Sequence, residues 1–209
     1  MRLTIVNAAV LGFALLSGNL FAQPSPGETE GTAPPPDEPR FEHFITDRDV
    51  LYYIRATIEI ERTHKDALSS LQARFDTSAE VAVPLDEAGY VAVNRHLYND
   101  LATPDEKELL DDIYFAAGFI AVAKWPEKSD RIFSAYLKLQ AEQGAYDILN
   151  ALSDTMLARL PAKQVEEIRR TRVMMRAAIE LTSNTDLEIV RPHLSALEIA
   201  MDDEAGDVD

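Results

Sequence analysis

Apolar residues along this chain recur at spacings of three and four, the period of a helix that buries one stripe. Leu51, Ile54, Ile58, Leu68, Leu71 and Phe75 form the first such run. It predicts a helix over 47–75 with Thr46 as its N-cap. Residues 76–84 read as a loop, and Pro84 opens a second helix reaching Leu101. Thr103-Pro104-Asp105-Glu106 combines an N-cap, a proline at the first helical position and a capping-box glutamate. It predicts a helix over 104–124 whose buried face holds Leu109, Leu110, Ile113, Ala117 and Ile120.

Pro126 ends that run and starts another. Ile132, Phe133, Tyr136, Leu137, Gln140, Tyr146, Leu149 and Leu152 carry its stripe toward Leu160, eased at Gly144. Pro161 opens a fifth helix that covers Val165, Ile168, Val173, Met174 and Ile179. Thr185 or Asp186 caps a last helix to Met201, which Pro192 kinks or splits. Val81-Ala82-Val83 is too short to seed a sheet. The pattern predicts an all-α bundle of five or six helices.

The first residues follow a different rule. Arg2 is the only charged side chain before Glu28, an apolar stretch runs from Leu3 to Leu16, and Ser17, Gly18 and Asn19 follow. This order predicts a signal peptide over 1–22, cut after Ala22, and hence an exported, periplasmic protein. Leu20 occupies a position where a small residue is preferred, so an uncleaved membrane anchor is the alternative. No cysteine is present to carry a lipid. Residues 23–40, QPSPGETEGTAPPPDEPR, predict a disordered Pro-rich linker with little to bury. Residues 202–209 read as an acidic disordered tail, which leaves 41–201 as the helical domain.

Charge narrows the partners. Lys and Arg total 20 against 36 Asp and Glu, a formal net charge of -16. Such a surface repels phosphate backbones and anionic membranes, so the reading has no nucleic-acid partner. The absence of Cys excludes thiol catalysis, disulfides and Cys-type zinc sites.

Candidate chemistry is sparse. Glu61-x-x-His64 has the i, i+3 spacing of carboxylate-bridged di-metal bundles, which use two such pairs; His43, His96 and His193 lack a matching glutamate. Asp76, Ser78, Glu80 and Glu87 fall on calcium-loop positions, but Val81 stands where the sharp turn needs glycine. Glu59 with Glu61, Asp111 with Asp112 and Glu166 with Glu167 are paired acids that spread around helix surfaces. A hydrolytic acid at Glu59 or Glu61 is the catalytic reading of the first pair. No phosphate-binding, dinucleotide-binding or nucleophile-elbow motif appears, so no cofactor is expected.

Arg159, Lys163, Arg169, Arg170, Arg172 and Arg176 form one basic island, read as pairing with acids of neighbouring helices rather than as an anion site. Trp125 reads as an interhelix corner. Tyr52, Tyr53, Tyr114, Phe115 and Phe119 read as core, with a groove as the functional alternative.

Residues 103–127, TPDEKELLDDIYFAAGFIAVAKWPE, resemble the bacterial exported helical family called domain of unknown function 2059. Gly118, Lys124 and Pro126 keep that family's spacing after its Thr–acidic helix start, whereas its Phe-Tyr and Ser-Pro pairs are missing. The resemblance implies a signal-bearing helical domain and carries over no functional residue. The leading expectation is thus an exported, non-enzymatic helical domain that binds an envelope protein or an apolar small molecule between helices. An envelope-polymer hydrolase using Glu59 or Glu61 and a metal-binding bundle are the alternatives.

Overall fold

Thr46 starts the first helix as its hydroxyl and the Asp49 carboxylate close a reciprocal capping box. The computed structural model describes residues 45–79, 84–121 and 124–201. The signal peptide, the linker, the acidic tail and the Val81–Val83 segment expected from sequence lie outside these residues. The described part is all-α: α1 Asp47–Glu59, α2 Ser69–Ala79, α3 Val93–His96, α4 Pro104–Ala117 and α5 Trp125–Glu142. It continues through α6 Ala145–Ala151, α7 Asp154–Leu157, α8 Ala162–Leu181, α9 Asn184–Val190 and α10 Leu194–Met201. The only strand-like pairing among the described residues is an isolated bridge between Leu85 and Val91. No helix among them is long and apolar enough to cross a membrane.

The long predicted runs are broken into pieces. The expected helix over 47–75 passes through a π turn at Ile60–His64 and a further turn before α2. Its stripe is rotated at the start: Val50, Tyr53 and Ile54 are buried, while Leu51 is exposed. The helix expected from Pro84 starts at Val93 instead. The Asp86 carboxylate accepts the N–H groups of Ala88 and Tyr90, and Gly89 turns the chain at φ 87. That side chain offers the backbone a turn in place of a helix. A second π turn, Leu97–Leu101, follows α3 directly. In the C-terminal part, the last helix is capped by Ser183 rather than Thr185 or Asp186, and Pro192 sits in a 3₁₀ turn at Arg191–His193.

The core is organised around α5, which packs against α8, α9, α3, α6 and α1. Trp125, Ile132, Phe133, Tyr136, Leu137 and Leu139 are all buried, so this helix has hardly any solvent face. A helix with buried positions nearly all round lies at the centre of a bundle, and its Lys128, Asp130 and Arg131 are each paired with a group from another part of the fold. Around it, α1 lies against α4 and α10, and α8 against α6.

Helix starts are tied to one another by charge. The acids at the third helical positions of α1, α4 and α9 each receive a cation from another helix. Lys128 donates to Asp49 at 2.7 Å, Arg74 pairs with Glu106, and Arg131 grips both oxygens of Asp186 at 2.8–3.0 Å. These carboxylates complement the positive helix ends and, through the cation, fix how the helices cross. Arg74 and the Thr103 N–H hold the Glu106 carboxyl below its ordinary range, against its burial.

Candidate functional site

The sharpest local feature is where α4 ends. Gly118 sits at φ 123, and its N–H donates to Tyr114 and Phe115 carbonyls while Phe119 N–H returns to Tyr114. This is the glycine stop that closes many helices. A Cβ at Gly118 would stand 2.5 Å from Tyr52 Cε1, so the aromatic ring lies directly on the turn. Phe119 then dives inward, edge-on to both Tyr52 and Tyr114 with centroids 5.6 Å away in each case. Tyr114 stacks on Trp125 at 3.7 Å, and Trp125 Nε1 donates to Asp111 at 2.9 Å. Tyr98 meets the indole edge-on and donates its hydroxyl to the other Asp111 oxygen at 2.8 Å. Burial, with this carboxylate beside it, pushes the Tyr98 phenol up to about 12.

This aromatic base leaves two large apolar side chains pointing outward. Ile120 is 90% exposed and Phe115 is 61% exposed. Both depart from expectation: Ile120 was placed on the buried face and Phe115 in the core. Phe115 lies inside α4, one residue past the buried Tyr114 and so rotated about 100° away from the inward face; for Ile120 the physical reason is the stop itself. Once Gly118 ends the helix, Ile120 no longer extends the stripe of Leu110 and Ile113. The signal was available, because a glycine after a periodic run marks a helix end.

A second cluster lies inside. Asp130 on α5 reaches the start of α3, where Ala92 supplies no side-chain cap. Its carboxylate accepts the Asn94 N–H at 2.6 Å, the Asn94 side-chain amide at 3.1 Å and the Arg95 N–H at 3.3 Å. Arg95 Nε adds a bond at 2.8 Å and its guanidinium reaches on to Asp86. Asp130 thus caps a neighbouring helix across 36 residues of sequence. Burial pushes its carboxyl up to about 6, while Arg95 and the Asn94 N–H pull the other way. Tyr53, fully buried alongside, has its phenol raised well above its ordinary value by burial first and by the nearby charges second. The arrangement is a satisfied cap with no substrate-facing group.

Residues nominated for chemistry are mostly engaged elsewhere. The π turn breaks up Glu61-x-x-His64: with its i→i+5 pitch, His64 faces Glu59 at 3.7 Å and Glu61 pairs with Lys65 at 3.1 Å. Glu59 and Glu61 are therefore each drawn to a different basic side chain. No group of three or more potential metal ligands stands together among the described residues. Within the calcium-spaced segment, Asp76 accepts from Gln72 and pairs with Lys163, and residues 80–83 lie outside the described part. Of the other paired acids, Asp111 belongs to the aromatic base, whereas Asp112 is exposed. Glu166 pairs with Arg169, and burial raises the Glu167 carboxyl.

The basic island is largely spent internally. Lys163 reaches Asp76, Arg176 reaches Glu180, and Arg172 donates to the Leu149 and Leu152 carbonyls at the end of α6. Arg170 is buried over the Phe75 ring, and Arg159 is exposed. Trp125 does occupy an interhelix corner, as its neighbour Pro126 suggested. Compared with known proteins, the chain matches no family model, no curated protein and no solved structure.

Proposed function

We propose that this chain is an exported, non-enzymatic helical domain that works by binding a protein partner, with the turn after α4 as its docking point. One observation carries the reading. Phe115, in the last turn of α4, and Ile120, two residues past the stop, are both exposed on either side of a turn that Gly118, Tyr52 and Phe119 hold in place. Exposed large apolar side chains on a firm base are what a protein interface uses as anchors. A side chain as exposed as Ile120 cannot line an enclosed pocket, so at this turn a protein surface fits better than an enclosed small molecule. The export half of the proposal rests on the order of residues 1–22.

The test is site-specific photo-crosslinking in living cells. A photoreactive residue replaces Ile120 in one variant and the exposed Glu188 in another. The expected result is a discrete adduct from position 120 that disappears with Phe115→Ser, and none from position 188. Equal labelling from both sites, or none from either, would overturn the docking reading. N-terminal sequencing of the same purified protein should begin at Gln23; an intact Met1 would refute cleavage after Ala22.

A further inference from the structure

The outer face of α4 says what kind of surface the partner presents. At 100° per residue, Asp105, Glu108, Asp112, Phe115 and Ala116 fall within an arc of about 100°. All five are exposed. Among the described residues, no hydrogen bond or ion pair engages Asp105, Glu108 or Asp112. Their neighbours on the same helix differ: Glu106 is bound by Arg74, and Asp111 by Trp125 and Tyr98. Among the described residues, the fold thus engages Glu106 and Asp111 and leaves three other acids of α4 uncompensated, on the face that also carries Phe115.

Resting on the docking reading above, we infer that this face receives a cationic amphipathic segment of the partner protein. Its apolar side chains seat on Phe115 and Ile120, and its lysines or arginines lie along Asp112, Glu108 and Asp105. Charge complementarity selects this occupant. A second copy of the chain would bring the same acids, from a molecule of formal charge -16, against this face. An anionic lipid surface is repelled for the same reason. A basic segment gains both attractions at once: apolar burial at one end and electrostatic steering along the row.

The experiment uses the in-cell adduct from position 120 on the full chain, now in two charge-matched backgrounds. One carries Asp105→Asn, Glu108→Gln and Asp112→Asn. The other carries Asp147→Asn, Asp154→Asn and Glu188→Gln, three exposed acids elsewhere. Each set removes the same formal charge, so a difference between them is local. Neutralising the α4 row should lower adduct yield about tenfold, as three weak surface attractions multiply, while the control set changes it less than about twofold. Peptide mapping of the adduct should return a segment with net positive charge. Equal yields in the two backgrounds, or a neutral or acidic mapped segment, would overturn the inference and leave the docking reading standing. Loss of the adduct in the unmutated chain would overturn both. Circular dichroism of both sets confirms that folding is unchanged.

Discussion

The two faces of α4 use the same residue types to opposite ends. On the inner face, Asp111 accepts from Trp125 and Tyr98, and Tyr114 stacks on the indole. On the outer face, Asp112 and Phe115, one residue further along in each case, meet solvent. A single step along a helix rotates a side chain by about 100°, enough to turn a half-buried acid and a core aromatic into exposed ones. What separates the faces is whether neighbours supply partners. The inner acid has two donors, and the outer acids have none among the described residues. That difference makes the inner face a support and the outer face the place to look for a partner.

The largest test of the contrast is Trp125→Ala. The indole is buried, stacked and hydrogen-bonded, so truncation should cost about 3–5 kcal/mol in urea denaturation. A loss near that of a surface change would mean that the inner face is not the support.

Asp130 provides the next test, through pH. Its folded carboxyl titrates at about 6 against an ordinary 3.8. Between those values the folded state holds the proton more tightly than the unfolded one, so acidification adds stability. The term is complete below about 4 and lost as pH rises through about 6. The stability of the unmutated chain minus that of Asp130→Asn should therefore grow by about 2 kcal/mol on going from pH 6 to pH 4. A difference that shrinks instead would mean that the hydrogen bonds from Asn94 and Arg95 outweigh the burial. Glu106 runs the opposite way. Its carboxyl is lowered, so its stabilising term is present above the ordinary glutamate range and fades as pH falls through its folded value. The Asp130 comparison cancels it.

Gly118→Ala should cost less, about 1–3 kcal/mol, from a strained φ and from displacing Tyr52. Thermal melts would read it, and no change would mean that the turn is not firmly held. The smallest effect belongs to the outer face. Phe115→Ser with Ile120→Ser should shift stability within about 0.5 kcal/mol, since neither side chain is buried. A loss of several kcal/mol would place them in the support and erase the distinction between the faces.

Much of the helical scaffold was legible, and the misses have local causes. Thr46 and Thr103 cap where their patterns indicate, because a capping box is made by residues three apart. Pro161 precedes α8 as expected, and the Ile132, Phe133, Tyr136 and Leu137 stripe is buried. The stretch from Pro84 to Ala92 was misread because the Asp86 side chain competes for backbone N–H groups, which periodicity does not register. The Glu61-x-x-His64 spacing presumed an α-helix, and one π turn changed which acid His64 meets. Of the docking surface, the acids of α4 were visible as residues, but Phe115 and Ile120 were assigned to the interior.

By itself, then, the sequence determined the all-α class, the acidic charge, the lack of thiol chemistry and the helix starts set by Thr46 and Thr103. These follow from composition or from contacts within one helical turn. Only the tertiary structure decided that Asp130 caps α3, that Lys128, Arg131 and Arg74 tie down the starts of α1, α9 and α4, and that Asp105, Glu108 and Asp112 find no partner among the described residues. Those outcomes depend on which helices meet. Opposite charges 32 or 79 residues apart have no preferred partner until packing brings them within reach.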